Sequence, residues 1–181
     1  RTLISVRAHF WRDVVFVNIG SKAPAFETAA GELIERWKEF EKPLVHTGED
    51  SSISFKLDCN WKLAVENYCE SYHLPFVHPD LNSYSRLEDH YNILDAGGFA
   101  GQGTLVYQPQ ISTDGRRFPH FEGLSSKWDA GAEYIAFFPN VLLGVHNDHA
   151  FAILLLPDGN GRTVEQVEIY YADESVRGAE Y

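Results

Sequence analysis

The sequence predicts an α+β fold, an antiparallel β-sheet with a few helices against it. Three observations carry this. Residues 134–138, 141–146, 150–156 and 163–172 are apolar runs of strand length, the last two joined by the turn-forming Pro157-Asp158-Gly159-Asn160-Gly161. Their connections are too short for helical crossovers, so neighbouring strands pair antiparallel. Two segments, residues 26–40 and the run that starts at Asn60, carry apolar residues at helical spacing instead.

In chain order, residues 3–19 hold two apolar runs parted by Trp11-Arg12-Asp13, and 14–19 is short and β-branched, so it reads as a well-buried strand. Residues 20–24 form a turn. In 26–40, Leu33, Trp37 and Phe40 recur at three- and four-residue spacing, and Pro43 stops the helix. Ile53, Phe55, Leu57 and Cys59 alternate with Ser52, Ser54, Lys56 and Asp58, which predicts a strand with one face inward and one wet. Residues 82–103 are polar and contain glycine, with one apolar break at Asn92-Ile93-Leu94. Residues 104–108 suit a further strand, and 111–128 read as a long surface loop of the kind that forms lids.

Composition narrows the function. The formal net charge is −11 with no basic cluster, which argues against nucleic acid. No apolar run approaches the roughly 20 residues that span a bilayer. Cys59 and Cys69 read as small buried thiols, and without a Cys-x-x-Cys or Cys-x-His pair the chain cannot assemble a thiolate metal site or an iron–sulfur cluster. A reducing, cytoplasmic setting follows. No repeat or linker interrupts residues 1–181, so they read as a single domain. The start at Arg1 and the lack of methionine suggest part of a longer protein.

Chemistry concentrates between Asn60 and Pro79. Asn60 is a good N-cap. Trp61, Val65, Tyr68 and Tyr72 share one helix face, with Glu66, Glu70 and His73 opposite. Pro75 predicts a helix end near His73. On an unbroken helix, residues five apart point about 140° from one another. A stop at His73 lets the chain turn and bring His78 back. Two imidazoles and a carboxylate on one face are what a non-haem Fe(II) site needs. Glu70 can then reach the ring nitrogen of His73 that is not on the metal, or bridge outward to an electron donor. From spacing alone the wet face of an amphipathic helix is the more ordinary reading of Glu66, Glu70 and His73.

The run Asn60-Trp61-Lys62-x-x-x-Glu66-Asn67-x-x-Glu70-x-Tyr72-His73-x-x-x-x-His78-Pro79 closely resembles the iron-site signature of Rieske non-haem iron oxygenase α subunits, the ring-hydroxylating oxygenase family. Residues 11–19 look like that family's strand entering the catalytic domain. The resemblance implies a helix-grip (START/Bet v1-like) fold, an antiparallel sheet wrapped around helices, with His73 and His78 as iron ligands. Glu70 then lies between iron and the Rieske cluster of a neighbouring subunit, and Asn67 lies close to the iron. It further implies a mononuclear Fe(II), a 2Fe-2S Rieske cluster in an N-terminal domain absent from this chain, and NAD(P)H electrons arriving through a ferredoxin or flavin reductase. O2 and a small aromatic or quaternary-ammonium substrate, hydroxylated or demethylated, and a homotrimer complete the expectation. The third ligand, usually an Asp, is expected beyond Tyr181. Asp148, between His146 and His149, reads as part of a strand-end turn lining the pocket, and Phe137, Leu143, Val145 and Asn147 suit its walls by strand position. A non-catalytic ligand-binding module of the same fold and a zinc hydrolase using the same histidines remain alternatives.

Overall fold

The structure, a computed structural model, describes residues 4–20, 22–94, 98–107 and 117–178. They fall into two compact units, Arg1–Lys38 and Glu39–Tyr181. In the first, strands β1 (Arg7–Trp11) and β2 (Val14–Asn18) form a hairpin, followed by helix α1 (Phe26–Arg36). Its two-residue turn, Arg12-Asp13, has φ of 50° and 61°, the left-handed pair that a tight hairpin connection demands. The Phe26 ring stacks on His9 at 4.2 Å. Residues 14–19 were expected to be buried throughout. Only Val14 is, while Val15 and Val17 are about 60% exposed, because a two-stranded ribbon offers core on one face only.

The second unit is built on a seven-stranded antiparallel sheet of order β3-β9-β8-β7-β6-β5-β4. Its strands are β3 (Ser52–Leu57), β4 (His90–Leu94), β5 (Phe99–Thr104), β6 (Ala132–Phe137), β7 (Val141–Val145), β8 (His149–Pro157) and β9 (Thr163–Tyr171). The four strands expected from residue 134 onward are all present, and the turn after Pro157 uses Gly159 at φ 78°. β3 is also present, but at the sheet edge. Ile53 and Phe55 are 42% and 49% exposed, so its apolar face is not the inward face that the alternation implied.

Strands β4 to β9 form a meander, so β3 and β4 occupy opposite edges. The chain between them must cross about 30 Å of sheet at roughly 4.8 Å per strand. It does so as helices α2 (Trp61–Cys69), α3 (Leu74–Val77) and α4 (Pro79–Tyr84). Trp61, Ala64, Val65 and Tyr68 of α2 pack on Ala136, Leu142 and Leu155. Tyr72, expected on the same face, lies beyond the helix and is 69% exposed.

The polar stretch 82–103 contains β4 and β5. Strand β5 is hard to read because it is Phe-Ala-Gly-Gln-Gly-Thr, with glycines where side chains do not fit. A Cβ on Gly101 would lie 2.0 Å from the Tyr134 carbonyl oxygen, and one on Gly103 would lie 2.4 Å from the Tyr91 ring. Of the expected loop 111–128, residues 111–116 lie outside the described residues, as does position 108 of the proposed strand 104–108. The rest of the loop lies largely at the surface, as expected, but three aromatic residues anchor it. Phe118, Phe121 and Trp128 are buried, with the Trp128 ring 4.6 Å from Phe40. Aromatic burial overrides the polar composition of their neighbours. Cys59 and Cys69 are free and half-buried.

Close approach at β5 generates a stability prediction. Gly101→Ala should destabilise the full-length protein by about 1–3 kcal/mol or more in urea unfolding. Gly31→Ala, on α1 with nothing described within 4 Å of the added methyl, should be neutral or stabilising by about 0.5–1 kcal/mol. Equal effects at the two positions would contradict the packing account.

Candidate metal centre and cavity

The Asn60 side chain accepts from the Lys62 amide 3.1 Å away and starts α2 as expected. The helix ends earlier than Pro75 suggested. Its last residue is Cys69, and Glu70 is already extended at φ −128°, ψ 160°. Pro75 instead lies in the first turn of α3, where an amide hydrogen has no intrahelical partner to lose. The break allows Glu70 to turn back on His73. Its carboxylate accepts from the His73 amide at 3.2 Å and is hydrogen-bonded to His73 Nδ1. Asn67 Nδ2 lies 3.3 Å from that same nitrogen. With Nδ1 engaged, Nε2 is left to point elsewhere.

α3 then carries the chain through one turn and returns His78 toward His73. The ring centroids are 5.4 Å apart and inclined at 75°. Two imidazoles on adjacent positions of one metal, with bonds of about 2.1 Å, place their centroids roughly 5 Å apart. The pair therefore suits a shared cation. Among the described residues, no group of three His, Cys, Asp or Glu comes together, so a third protein ligand is not found there.

His73 and His78 stand at a cavity of about 330 Å³ lined also by Asn67, Tyr68, Tyr107, Tyr134, His146, His149 and Phe151, among others. Tyr68 and Tyr134 meet edge to face at 6.1 Å, and the Tyr68 hydroxyl donates to the Leu143 carbonyl at 2.9 Å. Burial raises both phenols well above their ordinary range. The wall positions inferred from the strands are displaced by one residue. Tyr134, Gly144 and Phe151 are cross-strand partners, whereas Val145 pairs with Glu133. With a period of two, Leu143 and Val145 take the opposite face, and neither they nor Phe137 and Asn147 are among the cavity residues. Gly144 leaves room for Phe151, whose ring would lie 2.2 Å from an added Cβ.

His90 and Gln102 had no distinguishing sequence signal. Gln102 Nε2 donates to the Glu70 carbonyl at 2.8 Å, its Oε1 meets His90 Nδ1 at 2.8 Å, and His90 Nε2 lies 3.0 Å from Ser85 Oγ. β5 thus holds the main chain where α2 breaks. Across the cavity, Asp148 Oδ1 is 2.7 Å from His149 Nδ1, and the His146 ring stacks on His149 at 4.2 Å. Burial, then the neighbouring His149, depress the His146 imidazole well below its usual range.

The family model for the ring hydroxylating alpha subunit catalytic domain matches residues 24–181. The chain belongs to this family of Rieske oxygenases. It is 32% identical over 129 residues to putrescine 2-hydroxylase of Ralstonia nicotianae, covering 66% of this chain and 34% of that protein. Identity to putrescine 2-hydroxylase of Bordetella bronchiseptica is 27% over 127 residues, 65% of this chain and 28% of that one. The chain therefore spans about a third of the length of these relatives. In fold it is similar to the quaternary ammonium Rieske monooxygenase CntA, with a TM-score of 0.70 at 17% identity over 93% of this chain and 42% of that one. Naphthalene 1,2-dioxygenase from a Rhodococcus species gives 0.68 at 15% identity, over 93% and 45%. The sheet with its crossing helices is the α+β fold expected. No described helix is long and apolar enough to cross a membrane.

The buried imidazole generates a pH prediction. The folded-state pKa of His146 is below its unfolded value, so its full contribution to stability is present above about pH 6.5 and is lost as pH falls toward the lower folded value. Between about pH 7.5 and about pH 5.5, wild type should lose roughly 1 kcal/mol more stability than His146→Phe in urea unfolding. Parallel losses would show the imidazole to be charged in the fold.

Proposed function

We propose that this chain provides the oxygen-activating site of a Rieske-type oxygenase, with His73 and His78 as two ligands of a mononuclear Fe(II). One observation carries the proposal. Two imidazoles converge at a cavity mouth, and one of them is fixed through its other nitrogen by a carboxylate. When bound, Fe(II) would supply reductive activation of O2, using NAD(P)H electrons delivered by a reductase and a 2Fe-2S Rieske cluster outside these residues. A carboxylate outside the described residues would complete the ligand set.

The chain's own residues have definable work. Glu70 keeps the His73 proton on Nδ1 and sets the ring plane, so that Nε2 offers its lone pair. Asn67 flanks that contact, and Gln102 fixes the backbone from which Glu70 projects. Tyr68, Tyr134 and Phe151 contribute aromatic surface to the cavity wall for a small molecule.

The substrate reading follows from the lining. Among the described residues that line the cavity there is no Lys or Arg to pair a carboxylate, while Tyr68, Tyr107, Tyr134 and Phe151 supply aromatic rings, a kind of group that attracts cations. A small amine or ammonium compound suits this cavity better than an aromatic acid. Hydroxylation or demethylation next to the nitrogen-bearing group is the proposed reaction. The names of the putrescine 2-hydroxylases and of the quaternary ammonium monooxygenase agree with that class. Two free cysteines suit a cytoplasmic setting, and a homotrimer is the proposed assembly.

Metal analysis of the purified full-length protein tests the ligands. With an intact cluster, about three irons per chain should fall to about two in His73→Ala and in His78→Ala, with the visible spectrum of the cluster retained. Wild-type protein holding only cluster iron would favour a binding module. Anaerobic displacement of Fe(II) by Zn(II) with gain of hydrolysis would favour a zinc enzyme.

A further inference from the structure

We infer that His90 is a positioning residue for the candidate iron site. With Gln102 and Ser85 it clamps both ends of the segment that carries His73 and His78 onto strand β5. The inference rests on the reading that these two histidines hold iron.

The first end of the segment is the break after α2. A helix leaves its last carbonyls without intrahelical partners, and α2 stops at Cys69 with no glycine to turn the chain. The Gln102 side chain supplies the missing donor. Its Nε2 donates to the Glu70 carbonyl at 2.8 Å and to the Tyr68 carbonyl at 3.3 Å. The Ala100 carbonyl of the same strand accepts from Cys69 Sγ at 3.6 Å.

The second end is Ser85, which follows α4. Its hydroxyl lies 3.4 Å from Thr104 Oγ1 and 3.0 Å from His90 Nε2. Ser85 and Thr104 are both fully buried. Gln102 and Thr104 are alternate residues of β5, so they share a face and hold the two ends roughly 7 Å apart. His73 and His78 lie on the loop between those ends.

His90 joins them. It is the cross-strand partner of Thr104 on β4. Gln102 Nε2 faces carbonyls, which only accept, so Oε1 is the atom turned toward His90, and His90 Nδ1 donates to it at 2.8 Å. An imidazole is short and rigid, with a polar nitrogen on each side, and this one spans from Gln102 to Ser85. The polar chain from Glu70 through Gln102 and His90 to Ser85 thus closes the loop into a ring. Removing the imidazole leaves Gln102 Oε1 and Ser85 Oγ each short of a partner in a buried setting, and the ends must shift to find others. Any such shift alters the arc on which the two ligand rings meet, 5.4 Å apart.

Chelator competition for Fe(II) in the full-length protein, together with the paramagnetic resonance spectrum of its nitric oxide adduct, tests this. His90→Phe and Ser85→Ala should each raise the Fe(II) dissociation constant about tenfold, the usual cost of losing a group that orients a metal ligand. Each should also change the adduct's spectrum, with the cluster spectrum retained. The double variant should be no weaker than His90→Phe, because both substitutions cut the same chain. Asn140→Ala removes an amide-to-carbonyl hydrogen bond of 3.1 Å to Leu155, outside the segment, and should leave both readouts at wild-type values. Dissociation constants within about twofold of wild type in both single variants, an equal rise in Asn140→Ala, or additive effects in the double variant would overturn the inference. Ser85→Ala deletes a single oxygen and decides the matter if His90→Phe does not fold. Wild-type protein that binds no mononuclear iron would remove the oxygenase reading and this inference with it, whereas wild-type affinity in both single variants would remove this inference alone.

Discussion

A single carboxylate, Glu70, sets the geometry on which the candidate centre depends. It can do so because α2 ends at Cys69 and the next residue is extended, which lets the side chain fold back over the following turn. Holding His73 by both its amide and its ring nitrogen removes two freedoms at once, the backbone position and the rotation of the imidazole. A metal-binding imidazole needs that fixation, since an untethered ring loses conformational entropy and can present the wrong nitrogen.

The sheet explains why this turn sits over a cavity. A meander with β3 joined beyond β9 leaves its two edges far apart, and the chain linking them has to lie across one face. α2 covers part of that face with Trp61, Ala64, Val65 and Tyr68, and the shorter helices that follow bring His73 and His78 to the rest. Where the strands are glycine-rich, at Gly101, Gly103 and Gly144, chain and rings approach more closely than side chains would permit. Larger residues such as Tyr134 and Phe151 occupy the space that remains, and the cavity takes its aromatic character from them.

Much of this was legible in the sequence, for physical reasons. Asn60 announced the start of α2, and the β-branched runs after residue 134 announced the meander, because capping and strand periodicity are local effects. The convergence of His73 and His78 was legible too, though for the wrong cause: the break comes at Glu70, and Pro75 merely opens the next turn. What could not be read depends on distant contacts. β5 has no apolar alternation because its glycines answer to Tyr134 and Tyr91, and Gln102 matters only because folding sets it against the end of α2. The cavity wall was misassigned by one residue on β7, a small error in sequence that moves every side chain to the other face. His146 and His149 were visible only as part of a strand-end turn lining the pocket, and their stacking and the grip of Asp148 are properties of the folded turn.

The central claim is that two imidazoles, five residues apart, share one metal ion. Pulsed electron paramagnetic resonance of the full-length protein, with nitric oxide bound to its mononuclear Fe(II), tests it most directly. The account predicts nitrogen couplings from two coordinated imidazoles, one lost in His73→Ala and the other in His78→Ala. Couplings that persist unchanged in both variants, or a signal with no imidazole nitrogen, would contradict it.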